Sequence, residues 1–178
     1  MRARSYLGAA LPAVVAIGFI VGAAPSVRAD AEHPQWDEWE VLRHINDERG
    51  ARGLPAVEMA RPAREVARGW SEVMSSDGQL RHNPELPDQI SERLPTWQRA
   101  GENVGVGSDV GQLHDAFMDS HVHRDNVLGD FRWVGVGARW SGGRLWVAID
   151  FAATSAPIES ATPYGRYFRA WGWCPASR

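Results

Sequence analysis

The sequence predicts an α+β fold, on two observations. In three stretches, 36–49, 62–78 and 109–120, apolar side chains recur at helical spacing, and through 133–151 the pattern changes to strand-like Val and Trp around the turn Ser141-Gly142-Gly143. A chain of 178 residues with 44% hydrophobic content can build one domain with a real core and leaves little for a second. One domain over 38–152 is expected, with tails at 30–37 and 153–178.

The first 29 residues read as an export signal. Arg2 and Arg4 give a basic start, residues 7–24 are apolar and uncharged, and Val27-Arg28-Ala29 puts small residues before a cleavage point. Cleavage after Ala29 is expected, and the frame Ala29-Asp30-Ala31 offers a second point after Ala31. The apolar run of 18 residues is also long enough for a membrane anchor, although Pro12 and several Gly and Ala weaken it as a stable span.

Residues 36–49 set Trp39, Leu42, Ile45 and Arg49 along one side of a helix that Gly50 and Gly53 stop. A second helix opens on Pro62 and carries Ala63, Val66, Ala67, Trp70, Val73 and Met74 at core-facing spacing, until Ser75-Ser76-Asp77-Gly78 ends it. His82 therefore falls just past a helix end. Pro84, Pro87 and Pro95 make 83–100 mostly loop, with one helical turn over 89–94. Asp109 is a good N-cap for a third helix through Val110, Leu113 and Phe117 to Ser120, with His121 and His123 following its end. The β-hairpin over 133–151 is apolar on both faces and so covered on both.

Charge and cysteine content exclude some functions. From Asp30 onward the chain holds 16 Arg against 22 Asp plus Glu, a net charge of about −6, which argues against nucleic acid and against attraction to an anionic bilayer. There is no Lys, and the abundance of Ala, Gly and Arg points to a GC-rich, bacterial genome. Cys174 is the only cysteine, so no internal disulfide supports the domain and packing must do so.

The candidate chemistry lies in three stretches: Arg81-His82-Asn83-Pro84, Gly101-Glu102-Asn103-Val104, and Ser120-His121-Val122-His123-Arg124-Asp125-Asn126. They present two imidazoles and a carboxylate at similar intervals, the set that metal binding or general acid/base chemistry needs. With Asn46-Asp47-Glu48-Arg49, Gly53-Leu54-Pro55 and Val134-Gly135-Val136-Gly137 in the same order, these stretches resemble the CAP superfamily. Its SCP-type domain occurs in cysteine-rich secretory proteins, venom antigens, plant pathogenesis-related proteins and bacterial secreted proteins.

The resemblance implies a three-layer α–β–α sandwich with a central antiparallel sheet and a cleft gathering two His and two acids. His82 matches the first cleft histidine, Glu102 the glutamate and His123 the second histidine; the second acid's position is Ser120, as in many bacterial members. Phe117 stands where many members carry Trp. The family has no single agreed activity and has been connected with divalent metal, with sterol or fatty-acid binding, and with proteolysis.

Three functions follow as expectations: a secreted binding module whose cleft holds a small ligand, lipid or divalent metal; a metal-dependent extracellular hydrolase; and a structural cell-envelope protein with a relict cleft. His82 and His123 suit Zn²⁺ with an open position, and Glu102 is the candidate catalytic base. Without metal, the trio forms a hydrogen-bonded network. Asn103 is expected to fix the turn that presents Glu102, and Arg124 and Asn126 to brace the loop after the third helix; with a metal bound, all three would support its ligands. Asn46 is expected to pair buried backbone and Arg49 to bridge to a carboxylate, while His44, His114 and His121 read as surface or half-buried. Trp171-Gly172-Trp173 packs on the domain, forms a disordered tail, or anchors lipid, glycan or a partner chain, and Cys174 is a candidate for pairing with a second chain.

Overall fold

A computed structural model describes residues 34–158. The export segment, both cleavage points, the Trp-rich terminal stretch and Cys174 lie outside the described residues. The elements in order are α1 (Pro34–Ala51), β1 (Glu58–Met59), α2 (Arg61–Asp77), α3 (Leu86–Arg93), β2 (Trp97–Gly107), α4 (Val110–Asp119), α5 (His121–Val127), β3 (Trp133–Ser141) and β4 (Arg144–Thr154).

The second helix forms as its periodicity predicts, with Pro62 in the first turn and Gly78 closing it in the left-handed region at φ 69°. The first is longer than expected: it starts at Pro34, inside the stretch read as a tail, and runs through Gly50. Asp109 caps α4 by accepting from the Gln112 N–H at 2.9 Å. The region 83–100 is more ordered than its prolines suggest, because Pro87 occupies the first turn of α3, where its missing N–H costs nothing. Trp97 to Ala100 belong to β2, a strand the sequence did not reveal.

The sheet order is β1-β3-β4-β2. It is antiparallel except for the two-residue β1, which runs parallel to β3. Gly142 and Gly143, at φ 57° and 71°, make the tight hairpin turn that joins β3 to β4.

Alternation along the central strands sorts two layers of helix. Val134, Val136, Val147, Ile149 and Phe151 face α1, α4 and α5 in the larger core. Trp133, Trp146, Ala148 and Ala152 face α2 and α3 on the other side. The result is the expected α–β–α sandwich. Here α2 lies very close to β3: a Cβ on Gly135 would sit 2.1 Å from the Ala63 carbonyl carbon, and one on Gly137 would sit 2.2 Å from the Ala67 oxygen. Only glycine admits that approach, which explains the Val-Gly-Val-Gly pattern.

Two buried polar residues of α1 tie the layers. The Glu38 carboxylate accepts from Arg64 Nε at 2.8 Å and Arg68 Nε at 2.6 Å, joining α1 to α2. Asn46 donates to the Val57 carbonyl at 3.0 Å and accepts from the Val57 N–H at 2.8 Å, the backbone role expected of it. Asn46→Ala is expected to destabilise the domain by about 1–3 kcal/mol, because a buried N–H and C=O lose their partner together; urea unfolding measures this, and no change would refute it.

Arg49 departs from its expected role. It is 2% exposed and among the described residues pairs with no carboxylate, donating instead to the carbonyls of Pro55, Val127, Gly129 and Phe131 at 2.7–3.2 Å. Planar guanidinium geometry lets one side chain fasten two separate loops.

Candidate functional site

The candidate residues lie at the open edge of the sheet, along β2. Glu102, Val104 and Val106 point toward α2, and Asn103 and Gly105 toward α4 and α5. The chain leaving α2 brings His82 to the first side, and α5 brings His123 from the second.

Glu102 is the centre of the site. Its side chain is 5% exposed, and one carboxylate oxygen lies 2.6 Å from His82 Nδ1. A carboxylate only accepts, so Nδ1 carries the proton and Nε2 is the lone-pair nitrogen of the neutral ring. The Asn83 N–H donates to the same oxygen at 3.1 Å. Asn83 is itself fixed, accepting from the Glu85 N–H at 3.0 Å and donating to Gln89 at 3.1 Å. The Trp70 indole N–H donates to the Arg81 carbonyl at 2.8 Å, which anchors the segment leading to His82. The His82 ring is held at one nitrogen and is 63% exposed.

His123 is less exposed and lies edge-on to Phe117, with ring centroids 5.2 Å apart. Burial lowers its pKa, and the nearby His82 lowers it further, so His123 favours the neutral form.

Asn103 and Asn126 hold α5 against β2. Asn103 Nδ2 donates to the His123 carbonyl at 3.0 Å, and Asn126 Nδ2 donates to Asn103 Oδ1 at 2.8 Å and the Glu102 carbonyl at 3.2 Å. A Cβ on Gly101 would lie 2.5 Å from Asn126 Oδ1, so glycine before Glu102 makes room for this contact. Arg124 donates to the Met118 carbonyl at 2.7 Å and braces the junction of α4 and α5. Asn103, expected in a turn, lies instead in a strand, because β2 pairs with β4 continuously from Arg99 to Gly107.

Other expectations are corrected by α5. His121 and His123 lie within a seven-residue helix, two positions apart, and so their rings diverge. The exposed His121 lies 3.4 Å from Asp125. Ser120 ends α4 and begins α5, and its side chain does not cap α5. His114 is more buried than expected, stacked on His44 at 4.8 Å.

Asp150 of β4 was not anticipated as part of the site. It pairs in register with Glu102 on one side and Gly135 on the other, so its carboxyl lies beside Glu102 on the α2 face. It is 1% exposed, and both oxygens lack a hydrogen-bond partner among the described residues. Burial first, and the Glu102 charge second, push its pKa well above the usual carboxylate range. The signal was present as a lone acid within the apolar run Leu145 to Phe151.

Among the described residues no group of three or more His, Cys, Asp or Glu is placed to hold a metal ion.

The layered fold, with an imidazole–carboxylate pair at its sheet edge, is that of an SCP-type domain. The chain belongs to the CAP, or cysteine-rich secretory protein, family, whose model matches residues 42–149. No curated protein matches it by sequence. Among solved structures it is similar to an outer surface protein of Borrelia burgdorferi, at TM-score 0.64 and 13% identity, covering 69% of this chain and 96% of that one. It is similar to an extracellular SCP-domain protein of Bacillus anthracis, at 0.60 and 24%, covering 68% of this chain and 41% of that one. A cysteine-rich secretory protein of Staphylococcus aureus matches at 0.58 and 17%, covering 68% and 40%. The chain thus spans about two fifths of the Bacillus and Staphylococcus proteins. These likenesses are likenesses of fold.

Proposed function

We propose that this is an extracellular binding module whose cleft holds a small ligand, with a divalent cation such as Zn²⁺ as the first class to test. The observation that carries the reading is the tautomer lock on His82. Glu102 holds Nδ1, which leaves Nε2 with the lone pair in the neutral tautomer, and burial of His123 favours its neutral form. A carboxylate behind an imidazole is a recurrent way to orient a metal-binding histidine. The apolar leader 7–24 supports export, and among the described residues no helix is long and apolar enough to cross a membrane.

Calorimetry with Zn²⁺ on the chain from Asp30 tests the cation. His82→Ala with His123→Ala is expected to abolish binding, and Glu102→Gln to weaken it about 10–100-fold. Unchanged affinity in the double variant would rule out a cation held by these rings. Mass spectrometry of material extracted from the secreted protein then tests for sterol, fatty acid or another small molecule.

A metal-dependent hydrolase is the second reading, favoured by the same dyad. Because Glu102 is fixed by two donors, it is better placed to orient His82 than to take a proton from water directly. Turnover of peptide or ester substrates that disappears in Glu102→Gln would establish this reading over pure binding.

A further inference from the structure

A second concavity lies outside the cleft, where α2 and α3 diverge. It is a groove of about 770 Å³ with an apolar floor of Val66, Trp70, Val73 and Pro84. Val73 is 41% exposed, a large aliphatic side chain with no covering layer among the described residues. The rim is acidic. Glu65, Glu85, Asp88 and Glu92 line it against a single base, Arg93, which lies 3.1 Å from Glu65. Among the described residues Asp88 and Glu92 form no ion pair.

The chain itself offers the complementary segment. The last described residue, Ile158, packs on the buried cluster that holds Leu86, Ile90 and Val66, the last of which also lines the groove. Twenty residues follow, and 164–173 interleave Tyr164, Tyr167, Phe168, Trp171 and Trp173 with Arg166 and Arg169 and carry no acid. The intervening residues 159–163 reach about 16 Å when extended, and the α2 stripe from Val66 to Val73 is about 10 Å long. The aromatic residues thus come within reach of the apolar floor.

We propose that the α2–α3 groove is the docking site of this chain's own segment 164–173, with Arg166 and Arg169 against Asp88 and Glu92 and its aromatic rings on Trp70 and Val73. Apolar burial supplies the affinity and the charges select the site. The short tether keeps the local concentration of the segment high. Pro84 lines the groove and lies two residues from His82, so the docked segment also braces the loop that forms one wall of the cleft. The proposal is independent of what the cleft binds.

Cys174, the only cysteine and one residue beyond Trp173, is a natural site for a nitroxide label on the otherwise unaltered chain from Asp30 to Arg178. Paramagnetic broadening is expected to be concentrated in the amides of 65–73 and 85–93. Arg166→Glu with Arg169→Glu should remove it, as should Asp88→Lys with Glu92→Lys, and combining the two pairs should restore it. Broadening spread evenly over the domain would overturn the proposal. So would broadening that appears only when label and isotope are on different molecules, since the occupant would then be a second copy.

Discussion

Arg49→Met is expected to lower the stability of the domain by about 3–5 kcal/mol, at the upper end for a single substitution, because it breaks a buried hydrogen-bond network. Methionine fills much of the volume but donates nothing, so the carbonyls of Pro55, Val127, Gly129 and Phe131 lose a charged donor together. Burial lowers the Arg49 pKa, yet a guanidinium stays charged at any working pH. Arg49→Lys should recover only part of the loss, since a compact ammonium cannot span four acceptors in two loops. The check is urea unfolding, read as a shift in midpoint at constant m. A loss below about 1 kcal/mol would mean that water replaces the guanidinium at these carbonyls.

Asp150→Asn is expected to stabilise the domain at neutral pH, with a gain that shrinks on acidification. The folded carboxyl has a raised pKa, so the folded state holds its proton over a pH range in which the unfolded state has released it. Stability is therefore greatest, as far as this group is concerned, below the unfolded pKa of about 3.9 and falls as pH rises toward the folded value. Within that window the cost grows by about 1.4 kcal/mol per pH unit. Asparagine has nearly the same shape and no ionisation, so the stability difference between variant and parent should widen from pH 4 upward. Thermal unfolding of both proteins at several pH values reads this directly; a difference independent of pH would show that Asp150 is ionised in the folded protein or hydrated by water.

What the sequence disclosed follows from what each signal measures. Helix α2 was legible because its apolar stripe spans four turns and both ends carry a stop or start residue. Strand β2 was not, because an edge strand with Gly101, Gly105 and Gly107 has neither a β-branched run nor regular alternation, and it declares itself only through β4. Helix α5 was hidden because seven residues with Val127 as their one buried side chain carry no periodicity. Its place is set by Asn103 and Asn126, which are tertiary contacts.

The same distinction applies to the cleft. His82, Glu102 and His123 stood out by residue type and order. Asp150 did not, because only the cross-strand register sets it beside Glu102. Arg49 was expected to seek a carboxylate, the common partner, and finding carbonyls there required the two loops to be folded around it.

Strand β2 is eleven residues long and ends the sheet, so its outer side is a row of backbone groups of the kind onto which a neighbouring molecule can add a strand. Asn126 occupies one of them, the Glu102 carbonyl, at the point where the cleft opens. The contact that seats α5 thereby also covers one of the edge groups a neighbouring strand would need. Displacing α5 would bare that carbonyl, so the packing of this short helix and the exposure of the sheet edge are linked.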